Sequence, residues 1–215
     1  CGFCNVQTGS PLPVDELEPF KVARSINIMG VKHAVITSVD RDDIKDGGSI
    51  IWAETVNAIR DLNPNTTIET LIPDFKGETD NIDRIIKVAP EVVSHNLETV
   101  RRLTKEVRIQ AKYDRSLEVL KYLKESGISR TKSGVMLGLG EKREEVLETL
   151  DDLRRVGVDI VTLGQYLQPS KKHLPVVEFI TPDEFKEYEI IGKEMGFRHV
   201  ESGPLVRSSY KAQKH

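Results

Sequence analysis

A chain of 215 residues with 38% hydrophobic and 30% charged content is long enough to bury one large core, and single barrels reach this size as one domain. Its 31 basic and 34 acidic residues leave a net charge of -3, which gives no bulk attraction to nucleic acid or to an anionic membrane. No apolar run approaches the roughly 20 residues of a bilayer span, and the start lacks the basic and apolar regions of a signal peptide, so a cytoplasmic protein is expected.

The chain opens on CGFC, residues 1–4, which holds its only two cysteines. The glycine- and proline-broken NVQTGSPLP that follows cannot propagate a helix. DELE at 15–18 reads as a capping box. Strands are then predicted at HAVITSV (33–39), TTIETLI (66–72), VVSHN (92–96), KSGVMLGL (132–139), IVTLGQYL (160–167) and FRHVES (197–202). They read as near-continuously apolar, which suits a parallel sheet covered by helices. Among the helices, EEVLETLDDLRRV carries Val146, Leu150, Leu153 and Val156 on one stripe, and TPDE at 181–184 is a second capping box, with proline at the first helical position. Gly30, Gly127, Gly157 and Gly196 fall where helices should stop. RRLTKEVR and KESGISRTK read as solvated faces. Each strand ends in a polar or glycine-rich cluster: TSVDRDD, LIPDF, HNLET, GLGE, GQYLQP and ESGPLVRSS. Barrel enzymes build their sites from such βα loops, and a closed barrel needs about eight strands. The expectation is therefore an enzyme on an α/β fold, an open partial (β/α)6-type TIM barrel spanning 1–202, with a tail over 203–215.

Three chemistries compete for Cys1 and Cys4. Zinc wants four ligands, yet the five histidines are scattered through the sequence. A redox pair normally opens a helix directly after a strand, and a broken loop follows here instead. Iron–sulfur ligation remains, and two thiolates are too few for a cubane cluster, so a third ligand is expected upstream of residue 1.

In this order, CGFCNV, ITSVDRDD, HNLETV, KSGVMLGLGE, GQYLQP and GPLVRSSY resemble the signature stretches of the lipoyl synthase family, within the radical S-adenosylmethionine superfamily. CGFC resembles the end of the CxxxCxxC loop, with Phe3 before the final cysteine. GVMLGLGE resembles the superfamily's GxIxGxxE stretch, with Met136 in place of isoleucine. The family's N-terminal cysteines for an auxiliary cluster, its first strand and the first cysteine of the loop have no counterpart in these residues, so the chain reads as part of a longer protein.

The resemblance implies a radical sulfurtransferase with two 4Fe-4S clusters. One binds S-adenosylmethionine and generates a 5'-deoxyadenosyl radical; the other is consumed as the donor of two sulfur atoms to C6 and C8 of an octanoyl chain. The implied partners are an octanoylated lipoyl carrier domain or H protein and an electron donor such as flavodoxin or ferredoxin. A eukaryotic source would place the protein in the mitochondrion. By the same resemblance Cys1 and Cys4 ligate the cofactor's cluster and Ser208, the first serine of RSSY, ligates the auxiliary one. Thr37 and Ser38 are expected at the methionine end of the cofactor, Arg41 with Asp40 and Asp42 on the substrate side, and Asn96 and Glu98 at the ribose hydroxyls, with helix capping a rival role for Glu98. Lys132 and Ser133 are expected at the cofactor carboxylate, with Phe3 and Met136 lining its pocket. A biotin synthase-like enzyme and a non-catalytic barrel that binds the carrier domain are the alternatives.

Overall fold

Six parallel strands alternate with seven α-helices in the computed structural model, which describes residues 1–6, 9 and 11–215. Gln7, Thr8 and Ser10, in the broken stretch after CGFC, lie outside the described residues. The elements are α1 (Glu18–Met29), β1 (His33–Thr37), α2 (Ser49–Leu62), β2 (Thr67–Leu71), α3 (Thr79–Val88), β3 (Val92–Ser94), α4 (Thr104–Val107), α5 (Tyr113–Glu125), β4 (Thr131–Leu137), α6 (Arg143–Arg155), β5 (Ile160–Gln165), α7 (Pro182–Glu194) and β6 (His199–Gly203). Strand order follows chain order from β1 to β6 without closure, the open α/β barrel expected from the sequence. No helix among the described residues is long and apolar enough to cross a membrane.

The helix ends show how local the folding code is. Thr181 accepts a hydrogen bond from the Glu184 amide, while the Glu184 carboxylate accepts from the Thr181 amide, and Pro182 fills the first helical position of α7. The DELE reading is corrected: α1 starts after Leu17 without a side-chain cap. Asp15 instead accepts from the Leu17 amide and the Lys21 ammonium. Gly30, Gly127, Gly157 and Gly196 all adopt positive φ just past their helices.

Strand parity divides the side chains between two environments. Outward-facing Ala34, Ile68, Val93, Val135, Leu137, Val161 and Leu163 pack into the buried clusters shared with the helices. Val146, Leu150 and Leu153 of the α6 stripe join them. The opposite parity looks into the barrel and mixes apolar Val35, Leu71, Val92, Met136 and Ile160 with polar or small residues: Glu69 on β2, Ser94 on β3, Lys132 and Gly134 on β4, Thr162 and Gly164 on β5, His199 and Glu201 on β6. The strands are thus two-faced rather than uniformly apolar, because the outer face alone meets the helices.

Val206, Ser208, Ala212 and His215 turn the inner side of residues 204–215 toward that interior, while Leu205, Arg207, Ser209, Tyr210 and Lys211 stay exposed. The Val206 carbonyl lies where a Cβ on Gly164 would be only 2.2 Å away. Ser208 reaches Asn96 and Lys132. His215 ends beside Lys132, with its ring centroid 5.7 Å from that of His199 and its carbonyl accepting from Arg130. The segment runs from the end of β6 toward the start of β4, anchored to the barrel at Val206, Ser208, Ala212 and His215 rather than fraying from it.

Candidate functional site

Two barrel loops hold the cysteine loop in place. The Gly2 amide donates to the Val107 carbonyl at 2.9 Å, and the Leu174 amide donates to the Gly2 carbonyl at 3.0 Å. The Cys4 amide closes back on Cys1, and His173 Nε2 donates to the Cys4 carbonyl at 3.0 Å. Val107 follows β3 and Leu174 follows β5, so Cys1–Cys4 sit at the end of the barrel where strands finish. Phe3 packs against the large core cluster. Both thiols are free, Cys1 exposed and Cys4 half-buried. Among the described residues no three His, Cys, Asp or Glu side chains gather to hold a metal ion.

The loop after β5 owes its shape to two β5-end residues within GQYLQP. Gln165 donates to the Tyr166 and Glu178 carbonyls and accepts from the Ile180 amide. The Tyr166 hydroxyl donates to the Leu174 carbonyl at 2.7 Å. Glu141 of GLGE folds back to accept from the Gly138 and Leu139 amides. Of these contacts, the Tyr166 bond reaches the residue that clamps Gly2, and the others shape the loops after β4 and β5.

Below the rim, Asn96 is the hub. Its Nδ2 donates to Glu98 Oε1 and to Ser208 Oγ, each at 3.0 Å. Gly134 makes room for it: a Cβ there would meet Asn96 Oδ1 at 3.0 Å and Thr162 Oγ1 at 2.9 Å. Glu98 takes a left-handed φ of 65°, uncommon for a residue with a Cβ. Hydrogen bonds from its amide to Gly134 and from the Met136 amide to its carbonyl pin it to β4. It therefore bridges to a strand instead of capping a helix. Burial pushes its carboxyl above the ordinary range, against the opposing effects of the Asn96 hydrogen bond and the Arg108 charge. Strain at a site-facing acid is a mark of function when the surroundings enforce it.

Arg108 and His95 are the residues that sequence reasoning missed. Arg108 is buried, donating to the Leu97 carbonyl and Ser116 Oγ. Burial lowers its pKa against the charges of Glu98, Asp74 and Asp40. The solvated reading of RRLTKEVR is corrected accordingly, since Leu103, Thr104 and Val107 are buried too. His95 lies between the Ile72 carbonyl and Ser116 Oγ, and burial followed by the Arg108 charge pushes it down to about 4. It is neutral at pH 7, with Nδ1 as the donor to Ile72.

The other predicted residues scatter. Thr37 and Ser38 are exposed at the end of β1, and Ser38 Oγ donates to the Val39 carbonyl. Arg41 is taken by Asp43 through two 2.9 Å hydrogen bonds, and Asp42 faces Lys76. Met136 is half-buried on β4 and packs against the large cluster. Ser133 Oγ accepts from the Leu97 amide, a structural use. Lys132 lies at the start of β4, not at its rim end, and its ammonium is saturated by Glu69, the Ser208 carbonyl and His215. That geometry removes it from the cofactor carboxylate. KESGISRTK, too, is only partly solvated, with Ile128, Thr131 and Lys132 buried. A groove of about 720 Å³ along β6 holds none of the candidate cofactor ligands. Its Lys186, Lys193 and Lys211 are paired with Glu189 and Glu201.

Comparison with known proteins decides what this arrangement belongs to. Residues 1–153 match the Radical SAM superfamily model. The lipoyl synthase of Christiangramia forsetii is 75% identical over 215 residues, covering 100% of this chain and 73% of that protein. This chain belongs to the lipoyl synthase family. The mitochondrial lipoyl synthase of Nematostella vectensis is also 75% identical, over 100% of this chain and 74% of its own length. The Streptococcus suis SuiB structure bound to S-adenosylmethionine shares the fold at a TM-score of 0.69 and 16% identity, over 99% of this chain and 48% of that one. Lipoyl synthase membership brings S-adenosylmethionine and 4Fe-4S iron–sulfur chemistry with it. The donor set agrees: Cys1 and Cys4 are two free soft ligands on a loop fixed by backbone hydrogen bonds, the kind that iron–sulfur clusters take.

Proposed function

We propose that the chain is the catalytic barrel of a lipoyl synthase, with residues 1–202 as its core and 203–215 as a functional tail. It inserts sulfur at C6 and C8 of an octanoyl group borne by a lipoyl carrier domain or H protein. Two 4Fe-4S clusters, S-adenosylmethionine and a flavodoxin- or ferredoxin-type donor serve it, in the bacterial cytoplasm or the mitochondrion. Bound iron–sulfur cofactor supplies the electron that splits S-adenosylmethionine, chemistry outside the reach of side chains.

The protein's own residues do the holding. Cys1 and Cys4 supply two thiolates to the cofactor cluster, with the third outside residues 1–215. Phe3, Thr37, Ser38, Asn96, Glu98 and Met136 are the candidate contacts to S-adenosylmethionine. Glu98, its carboxylate oriented by Asn96, suits a hydroxyl-rich ribose because its oxygens accept from hydroxyls. Ser208 offers the auxiliary cluster an oxygen ligand, harder than a thiolate and so the readier to leave. The observation that carries this reading is the cysteine loop pinned between Val107 and Leu174 with both thiols free.

Anaerobic reconstitution of the full-length protein tests it. The wild type is expected to bind iron, cleave S-adenosylmethionine and form lipoyl product, and Cys4→Ala is expected to lose the cleavage. Undiminished 5'-deoxyadenosine from Cys4→Ala would remove Cys4 from the cluster. A wild type that takes up no iron would leave a carrier-binding module.

A further inference from the structure

The barrel interior contains an ion pair that the radical reaction gives no reason to bury. Lys132 and Glu69 meet at 2.8 Å with side-chain exposures of 1% and 0%. Such a pair contributes little net stability, since desolvation offsets its attraction, and apolar replacements of similar volume are often tolerated. A buried pair of this kind calls for another explanation. All three Lys132 protons have acceptors: Glu69 Oε1, the Ser208 carbonyl at 2.5 Å and His215 Nδ1 at 3.2 Å. Glu69 is itself oriented by Ser94 Oγ at 2.8 Å. The Ser208 hydroxyl is held separately by Asn96.

We propose that Glu69 and Lys132 are positioning residues, a buried tether that grips the Ser208 main chain and so sets where its hydroxyl is presented. Asn96 then aims the hydroxyl while Lys132 fixes the backbone that carries it. A serine ligand on an untethered segment would be presented in many geometries. Two grips on one residue leave little rotational freedom, and a charge-assisted hydrogen bond is the stronger kind. This rests on the reading of Ser208 as a ligand, and the test separates the two.

The full chain is prepared as Lys132→Met, as Glu69→Gln and as the double apolar Glu69→Met/Lys132→Met, which leaves no buried charge unpaired should the single variants fail to fold. Hydrogen exchange of the apo protein reads the tether without any cluster. For the folded double variant, amides of 204–215 are expected to exchange at least ten-fold faster, while β4 and β5 keep wild-type protection. Wild-type protection of 204–215 in that variant overturns the tether. In reconstituted enzyme, lipoyl product per 5'-deoxyadenosine is expected to fall at least ten-fold. A freed segment with an unchanged ratio overturns the positioning role. Faster exchange that spreads equally through the strands overturns it as well, showing a merely structural pair. A Ser208→Ala enzyme with wild-type product sinks the ligand reading alone, since the exchange arm does not depend on it.

Discussion

Gly164→Ala is the sharpest probe of the packing between tail and barrel. A Cβ at residue 164 would stand 2.2 Å from the Val206 carbonyl oxygen and 3.1 Å from its carbon. Main-chain atoms cannot rotate out of the way, so strand and tail must separate by about 1 Å to reach ordinary contact. Strand β5 is laddered to β4 over six residue pairs and to β6 over five, so the tail is the part that moves. A shift of that size breaks the Ser208 contacts. The neutral bond from Asn96 contributes about 0.5–1.5 kcal/mol and the charged one from Lys132 about 1.5–3 kcal/mol. Docking of 204–215 is thus expected to weaken by at least about 2 kcal/mol, roughly thirty-fold in population. Mass-spectrometric hydrogen exchange should show that loss in peptides covering 204–215 and leave β4 to β6 protected. Lipoyl product should fall more than 5'-deoxyadenosine does. Wild-type exchange in the tail, with wild-type product, would leave Gly164 without this role.

Three further outcomes follow from the same geometry. Tyr166→Phe leaves the Leu174 carbonyl without the donor that holds the Cys1–Cys4 clamp; a stability loss of about 1–2 kcal/mol and slower iron uptake on reconstitution are expected, and unchanged uptake counts against the clamp. Thr181→Ala removes the α7 cap and should cost about 1 kcal/mol in thermal unfolding with product yield per active site unaltered, so a selective loss of activity would contradict a purely structural α7. Burial, and then the Lys132 charge, depress His215 to about 4 from its ordinary 6.5. The free tail therefore takes up a proton that the docked tail refuses. Its contribution to docking is complete above pH 6.5 and fades as pH falls toward 4. Exchange of 204–215, corrected for intrinsic pH dependence, should accelerate over that window and flatten in His215→Gln; acceleration on raising the pH would reverse the assignment.

Much of the fold is legible because its signals are local. Six β-branched runs became six parallel strands, and four glycines ended helices in the left-handed conformation that L side chains avoid. The TPDE box capped α7 because donor and acceptor lie within one turn. DELE has the same residue types, yet α1 begins after Leu17 and its Asp15 serves the Leu17 amide and Lys21. The site was legible as motifs but not as contacts. Asn96, Glu98 and Ser208 come together through hydrogen bonds, one of them spanning 112 residues, and no periodicity encodes such a meeting.

The family, the strand and helix order and the cysteine loop could be read from the residues alone, since each depends on neighbours in the chain. The burial of Arg108 and Lys132, charged and read as solvated or cofactor-facing, emerged only from the fold. The fold alone brought Ser208 of RSSY against Asn96 and Lys132. The physical reason is that strand parity sends Glu69, Lys132, Gly134 and Gly164 into one enclosed space. Whether a charge there finds its partner, or a missing side chain leaves room for another backbone, depends on which distant segment arrives to fill it.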